Sequence, residues 1–400
     1  MATIAFLATS AQIGGAETSL LALLEGLRAR RPGWPLTVVL PDDGPLVRRC
    51  RALDVATRLV PMAPALARLG ESATARAPGA VPGAGALVAA SKAAVSIPAY
   101  TRRLERALRE IRPTVIHSNG LKMHVLTSIA RVPDARIVWH VHEYLSARRA
   151  TAFLLRRVRS APAVLVANSV SVARDVRATL GDRGDVKTIY NGVSCQRFTP
   201  GGDVFDLDGE GAPRHPAVVR IGLIATFGRW KGHEVFLEAL ARLSHRDRVH
   251  AYIVGDAVYQ TTGSQYTRAE LEALVAARGL SRMVTFAGAV SDVPAVMRAL
   301  DIVVHASVQP EPFGMVIAEA MACGRTVVAA KAGGAAELFT DDVDALGHRP
   351  GDAADLSRVL DRAIEDPDLR ARIGRAARET ALARFSAARM TEEFISVYEP

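Results

Sequence analysis

Glu311 and Glu319 bracket the segment Glu311-Pro-Phe-Gly-Met-Val-Ile-Ala-Glu319, which runs on as Ala-Met-Ala-Cys-Gly324. Pro312 and Gly314 spell a turn, and Met315 to Cys323 reads as a helix closed by Gly324. The run Asp301-Ile-Val-Val-His-Ala306 ahead of the turn reads as a buried strand. The helix then starts at the carboxyl end of a strand. Amides with no intrahelical acceptor and the positive end of the helix dipole attract an anion there, and a diphosphate fits well. The two carboxylates are too far apart along the chain to share a proton. They suit two parts of one extended ligand. A lone Glu beside an ordinary turn would simply face solvent. The turn, the helix start and the second carboxylate together point to a ligand.

Other residues could serve the same ligand. Lys231-Gly232 opens a helical stretch and offers a cation, with Arg229 just ahead of it. Gly14 and Gly15 follow the first strand candidate and precede a helix, where a missing Cβ lets the backbone come close to a ligand. In Arg136-Ile-Val-Trp-His140-Val-His142, strand alternation turns His140 and His142 to one side. No third ligand accompanies them, so a metal pair is set aside and His140 is read as a core histidine. His117, Ser118 and Asn119 end the preceding strand and, by position alone, border an acceptor side. Asp341-Asp-Val-Asp344 has the composition of a metal-binding run but reads as a solvated loop, and no metal is expected. Cys50, Cys195 and Cys323 lie far apart. That excludes a disulfide framework and a cysteine zinc site, and it fits a reducing compartment.

These side chains need carriers. Short β-branched runs alternate with longer amphipathic stretches. Strands are expected at 3–8, 36–40, 57–60, 114–117, 136–142, 163–167 and 186–190, and helices at 15–30, 44–53, 100–111, 120–130 and 170–179. Gly, Pro and Asp interrupt the pattern over 199–217 and mark a boundary. It resumes with strands at 218–225, 249–254, 283–287, 301–306 and 326–330, and helices at 231–244, 267–279, 292–300, 314–323 and 352–363. Residues 367–398 read as helical and amphipathic. Such alternation implies parallel sheets covered on both faces, hence an α/β chain of two doubly wound domains with ligands at the carboxyl ends of the strands. Residues 77–100 carry a single charge, Lys92, but Pro78, Pro82 and Pro98 are expected to break them, and no spanning helix is expected. The start, Met1-Ala-Thr-Ile-Ala-Phe-Leu-Ala8, lacks the positive region of a signal peptide and reads as a first core strand.

The string from Glu311 to Glu319 resembles the Glu–seven residues–Glu signature of the family 4 retaining glycosyltransferases, which have the GT-B fold. Gly324-Arg-Thr-Val-Val resembles the family's G-x-P-V-V, with Thr326 in the proline position, and Ala332-Gly-Gly-Ala-Ala-Glu337 resembles its x-G-G-x-x-E. Asn191-Gly-Val193, Lys231-Gly232, Gly14-Gly15-Ala-Glu17 and Arg384-Phe-Ser386 also match, in the family's order and over nearly the whole chain. The resemblance implies two Rossmann-like domains facing across a cleft. They would be an acceptor-side domain over 1–198 with an insert at about 61–100, a linker over 199–217, and a donor domain over 218–384, with a helix over 385–400 crossing back to the first domain. It implies a nucleoside-diphosphate sugar (UDP- or GDP-sugar) as donor substrate, a hydroxyl acceptor, no bound cofactor and no metal. It places Glu311 and His142 at the donor sugar as catalytic residues, Lys231 on the phosphates and Glu319 on both ribose hydroxyls. Backbone N–H groups of Phe313, Gly314, Met315 and Val316 would meet sugar hydroxyls and the β-phosphate, and Gly14 and Gly15 would lie over the diphosphate. The family's second phosphate cation, an Arg five positions before the Lys, is Thr226 here, so Arg229 is expected to swing into its role. Gly255-Asp-Ala257 stands where the family often has Gly-x-Gly.

Fifty basic against 41 acidic side chains give a net charge of +9, but the sum hides a split. Residues 1–200 hold 28 basic and 13 acidic side chains, and residues 201–400 hold 22 and 28. Aromatics are 5% and neither a stacking platform nor a reading helix stands out, so the surplus is not read as nucleic-acid binding. Arg102, Arg103, Arg106 and Arg109 lie on one helix opposite Leu104, Leu108 and Ile111, and Arg148, Arg149, Arg156, Arg157 and Arg159 surround Phe153, Leu154 and Leu155. Basic amphipathic segments fit an anionic membrane surface or a phosphate-bearing lipid acceptor. The expectation is a cytoplasmic enzyme, peripheral at the inner face of the membrane, that acts on a glycan, glycolipid or lipid-linked hydroxyl in cell-envelope or polysaccharide synthesis. A small soluble acceptor, and a sugar-nucleotide epimerase on the same fold, are the alternatives.

Overall fold

A computed structural model describes residues 1–67, 84–130, 134–157, 162–181, 184–209, 218–258 and 263–399, with 84–93 described by their backbone alone. Part of the 61–100 insert, the end of the 199–217 linker and Arg159 therefore lie outside the described residues. The chain forms two compact units, Met1–Gly192 with Ala387–Pro400, and Val193–Ser386.

In the first unit, β1 (Ile4–Ala8), β2 (Leu36–Leu40), β3 (Ala56–Leu59), β4 (Val115–Asn119), β5 (Arg136–Val141), β6 (Val164–Ala167) and β7 (Asp185–Thr188) form one sheet in the order β3-β2-β1-β4-β5-β6-β7. Every pairing is parallel. The helices are α1 (Gly15–Arg30), α2 (Pro45–Ala52), α3 (Pro64–Ala67), α4 (Ala84–Ile111), α5 (Leu121–Ile129), α6 (Arg149–Arg157) and α7 (Val170–Leu180). The central strand β1 is buried along its whole length and the edge strand β3 is largely exposed, as in a parallel sheet covered on both faces.

The second unit repeats the plan. β8 (Val219–Ile224), β9 (Val249–Val254), β10 (Val284–Gly288), β11 (Ile302–His305), β12 (Thr326–Ala330) and β13 (Leu346–His348) pair in the order β10-β9-β8-β11-β12-β13, again all parallel. Its helices are α8 (His233–Arg242), α9 (Arg268–Ala277), α10 (Val293–Ala299), α11 (Met315–Ala322), α12 (Ala353–Glu365) and α13 (Pro367–Arg384). Two doubly wound Rossmann-like units are thus present, as the alternation predicts. The three-residue β13 is too short to carry a pattern of its own.

Three details differ from what the periodicity alone spells. The helical run 367–398 divides into α13 and α14 (Ala387–Tyr398), where the resemblance places the start of the last helix. The break falls at Phe385, a fully buried residue whose carbonyl accepts from the Val193 amide at 2.7 Å, while Ser386 bridges Val193. After it, α14 belongs to the first unit, where Met390, Phe394, Val397 and Tyr398 complete the core. It crosses α1 closely: a Cβ on Gly26 would lie 2.0 Å from Thr391 Oγ1. The second change concerns α4, which runs straight through Pro98 instead of beginning after it. An interior proline costs about 3 kcal/mol, because its ring cannot donate to the carbonyl four residues back. Burying Tyr100, Leu104 and Leu108 contributes about 1.5–3 kcal/mol for each, so packing wins. Third, the passage into the second unit comes at Val193, ahead of the Gly/Pro-rich stretch. Arg378 holds the following residues there, donating to the carbonyls of Phe198 at 2.7 Å and Cys195 at 3.1 Å. Among the described residues no helix is long and apolar enough to cross a membrane.

Candidate functional site

Strand order reverses between β8 and β11 in the second sheet, and ligands of such sheets bind outside the carboxyl ends of the strands at that point. The chain leaving β8 forms a single 3-10 turn, Arg229–Lys231, that docks on the chain leaving β11. Val308 N donates to Trp230 O at 2.9 Å. Gly232 sits at φ +76, and a Cβ there would be 1.9 Å from the Ala306 carbonyl oxygen, so only glycine permits this approach. The approach delivers Lys231 Nζ to Glu311 Oε1 at 2.5 Å. Ser307 Oγ donates to the same oxygen at 2.5 Å, and His305 Nε2 lies 3.5 Å from the other one. Glu311 is also fixed by its main chain, through a parallel bridge to Gly333 and a 2.7 Å bond from Gly334 N to its carbonyl. Burial alone would raise this carboxyl, but the Lys231 ammonium, with His305 beside it, holds it well below the usual carboxylate range.

Next along the chain, Gly314 takes φ +99 as the N-cap of α11 and accepts from Ile317 N at 3.0 Å. Phe313 is buried and meets Phe385 edge-on, with ring centroids 6.0 Å apart. Met315 and Val316 open α11, where an α-helix has no carbonyl behind its amides. Glu319 lies half-buried on the same helix. Burial pushes its carboxyl up to about 7, partly offset by Arg197. Arg229 is occupied elsewhere: it pairs with Glu270 at 2.9 Å and lies 4.1 Å over the Tyr266 ring. The Thr226 hydroxyl is buried without a hydrogen-bond partner among the described residues.

In the first unit, Gly14 caps α1, and its amide donates to the Glu17 carboxylate at 3.1 Å. A Cβ on Gly15 would meet no atom within 4 Å, so packing inside the protein does not call for glycine there. His142 Nε2 pairs with Asn119 Oδ1 at 2.7 Å, and burial lowers its pKa to about 4, leaving the ring neutral. The His140 ring is 3.9 Å from that of His142, and neither of its nitrogens has a partner among the described residues. His117 bonds Tyr398 Oη at 2.7 Å. Ser118 is fully buried and bonded to His124 at 2.7 Å, because alternation turns it to the face opposite Asn119, which is itself 1% exposed. Among the described residues no group of three or more His, Cys, Asp or Glu is placed to hold a metal ion.

A profile described as Glycosyl transferases group 1 matches residues 219–380, and one described as Glycosyltransferase Family 4 matches residues 13–197. The chain belongs to the family 4 glycosyltransferases. It is 34% identical over 250 residues to D-inositol 3-phosphate glycosyltransferase of Salinispora arenicola, a match covering 58% of this chain and 54% of that protein. It is 29% identical over 236 residues to the lipopolysaccharide core biosynthesis glycosyltransferase LpsE of Rhizobium meliloti, covering 58% and 63%. The chain spans about half the length of the curated relatives it matches first. The crystal structure of Anabaena Alr3699/HepE in complex with UDP-glucose superposes with a TM-score of 0.77 at 26% identity, covering all of both chains.

In this family 4 glycosyltransferase the residues read from sequence fall into two groups. Lys231 and Glu311 meet directly beside the start of α11, and Asn119 and His142 meet at the end of β4 and β5. Sequence reading missed Ser307 and His305 beside Glu311, Glu270 and Tyr266 under Arg229, and Arg197 near Glu319. For His305 the signal was present: it is a polar residue closing an apolar strand six positions before Glu311.

Proposed function

We propose that the chain transfers a sugar from a nucleoside-diphosphate sugar to a hydroxyl with retention of the anomeric configuration. The observation that carries this is the Lys231–Glu311 pair at the switch point, beside the N-terminal amides of α11. A cation and a helix start suit a leaving diphosphate, and a buried carboxylate suits the hydroxyls of the sugar next to it. The UDP-glucose held by the HepE neighbour favours a UDP-sugar donor over a GDP-sugar. In the reaction the bond from the sugar C1 to the phosphate oxygen breaks, and the acceptor oxygen bonds C1 on the same face. The acceptor's proton passes to the departing phosphate. Lys231, the amides of Phe313, Gly314, Met315 and Val316, and Arg229 stabilise the charge that develops on the diphosphate. Arg229 reaches it by leaving a solvent-screened pair, which holds it weakly. Glu319 accepts the ribose hydroxyls, His142 and Glu311 hold the sugar, and Gly14 and Gly15 give the diphosphate room.

The test is UDP release from UDP-glucose together with UDP-glucose binding. E311A is expected to abolish turnover and spare binding. E319A and K231A are expected to weaken binding at least about tenfold, and R229A by less. Equal loss of binding in E311A and E319A would reject this division of roles.

The acceptor reading, a glycan, glycolipid or lipid-linked hydroxyl at an anionic membrane, rests on the basic first half and on the likeness to LpsE. Over Tyr100–Ile111 the apolar face of α4 is spent inside, since Leu104 and Leu108 pack in the core, so among the described side chains of that helix the arginines and the lone exposed Val95 face outward without forming a continuous apolar face. α6 is the better candidate. Phe153 and Leu154 are half exposed, Arg157 lies 4.2 Å over the Phe153 ring, and Arg149 and Arg156 flank them. Sedimentation should find more protein on anionic than on neutral vesicles at low salt, and equal amounts would remove the membrane from the proposal.

A further inference from the structure

We propose that His305 is a positioning residue for Glu311, holding the carboxylate through Oε2 when the donor's diphosphate draws Lys231 away from Oε1. The proposal rests on the reading of Glu311 as the carboxylate at the donor sugar. The two oxygens of Glu311 have different neighbours. Oε1 takes both Lys231 Nζ and Ser307 Oγ at 2.5 Å, whereas Oε2 faces His305 Nε2 at 3.5 Å. Lys231 cannot remain a full counter-charge to Glu311 and also serve a diphosphate. Its attraction is divided as soon as the donor's negative charges arrive. Glu311 is buried, so an ionised carboxylate that loses its cation must take up a proton or gain another partner. Protonated, it would turn from a pure acceptor of sugar hydroxyl protons into a donor at one oxygen.

His305 is placed to prevent that. It is 4% exposed, and neither ring nitrogen has a hydrogen-bond partner among the described residues, so no existing bond competes for it. Its main chain is fixed at the end of β11, where its carbonyl accepts from His348 Nε2 at 3.1 Å. At 3.5 Å the ring is just beyond good hydrogen-bonding range, and a movement of about 0.5 Å brings Nε2–H onto Oε2. The groups that face Glu311 are then Lys231 from the 3-10 turn and His305 and Ser307 from the end of β11. His348 on β13 stands behind His305. Of these three, Lys231 is the one a diphosphate draws on, Ser307 is committed to Oε1, and His305 is the one that faces Oε2.

UDP-glucose turnover, its dependence on pH and UDP-glucose binding should be measured for H305F, H305Q and E311Q in the full chain. H305F is expected to bind UDP-glucose within about twofold of the wild type. Its kcat should fall about tenfold or more, and the acid limb of kcat should move up by about one pH unit. H305Q keeps an N–H donor near the place of Nε2 and should recover most of kcat. An unchanged kcat in H305F with E311Q inactive overturns this proposal alone. Lost binding in H305F, or H305Q as impaired as H305F, assigns His305 to packing and also overturns it. E311Q turning over like the wild type overturns the reading of Glu311 itself and this proposal with it.

Discussion

Glu311 and Glu319 share one helix start, yet their surroundings drive them in opposite directions. Glu311 has a lysine that holds it well below the usual carboxylate range, whereas at Glu319 burial outweighs the offset from Arg197 and pushes the carboxyl up to about 7. In the proposed donor site the pH-sensitive half is therefore Glu319. In the ribose-binding role proposed for it, only the carboxylate form would accept both hydroxyls, because the protonated form gives up part of its acceptor capacity. Affinity for UDP-glucose, whose diphosphate does not titrate near neutrality, should be highest above pH 7. It should fall toward about tenfold for each pH unit below that value. The sign for folding is the reverse of the usual carboxylate case. The unfolded side chain ionises first, so Glu319 costs stability as pH rises from 4.5 through about 7. Calorimetric titration of the wild type and E319Q between pH 6 and 8 checks the binding side. E319Q should bind weakly and with a flat profile, and a flat wild-type profile would remove Glu319 from the ribose.

Two glycines on two loops separate what the elements need from what the ligand needs. A Cβ on Gly232 would strike the Ala306 carbonyl at 1.9 Å from a left-handed conformation, so G232A should lose about 2–4 kcal/mol and misplace Lys231. A Cβ on Gly15 meets nothing, and the residue opens α1, so G15A should hold its stability or gain up to about 1 kcal/mol. Its kcat/KM for UDP-glucose should still fall. Thermal unfolding with a turnover assay reads both, and wild-type turnover in G15A would take the Gly14–Gly15 loop off the diphosphate. The same contrast explains what the sequence made legible. Elements with their own period were plain, as in the Leu-rich face of α1, the all-buried β1 and the nearly all-buried β8. So was the string from Glu311 to Glu319, because turn, cap and carboxylates lie within nine consecutive residues of the chain. The partners of Glu311 and Arg229 were not. They come from the ends of other strands and helices, and only the parallel register of β8 with β11 brings Lys231 beside Glu311. The break at Phe385 was legible only through the resemblance and not from periodicity, since the carbonyl that ends α13 does so by bonding Val193, far away in sequence.

At the scale of the whole molecule, acid should open the first unit. His117 is lowered to about 3 and His142 to about 4, and His124 and His140 are lowered well below their ordinary value, chiefly by burial. A histidine held neutral in the fold but free to charge when unfolded contributes full stability above pH 6.5. That contribution is lost as pH falls, because the unfolded chain takes protons that the folded one refuses. At pH 5 the loss is about 2 kcal/mol for His117 and for His142. His124 and His140 act in the same direction, so the cluster weighs heavily against a domain's usual margin of about 5–15 kcal/mol. Opposing terms in that unit are small. Ordinary carboxylates titrate below this window, and Glu17, raised by burial, eases only its own cost. The second unit has fewer strongly lowered histidines, His233 at about 4 with smaller shifts at His250 and His348. Trp34 and Trp139 lie in the first unit and Trp230 in the second, and Trp139 stacks on His124 at 5.2 Å. Tryptophan emission of a W230F variant therefore follows the first unit alone. Its urea midpoint should drop steeply between pH 6.5 and 5, ahead of the signal that Trp230 adds in the wild type. A midpoint unchanged across that range would mean that the buried imidazoles find proton acceptors on charging, and the neutral cluster would then have no bearing on stability.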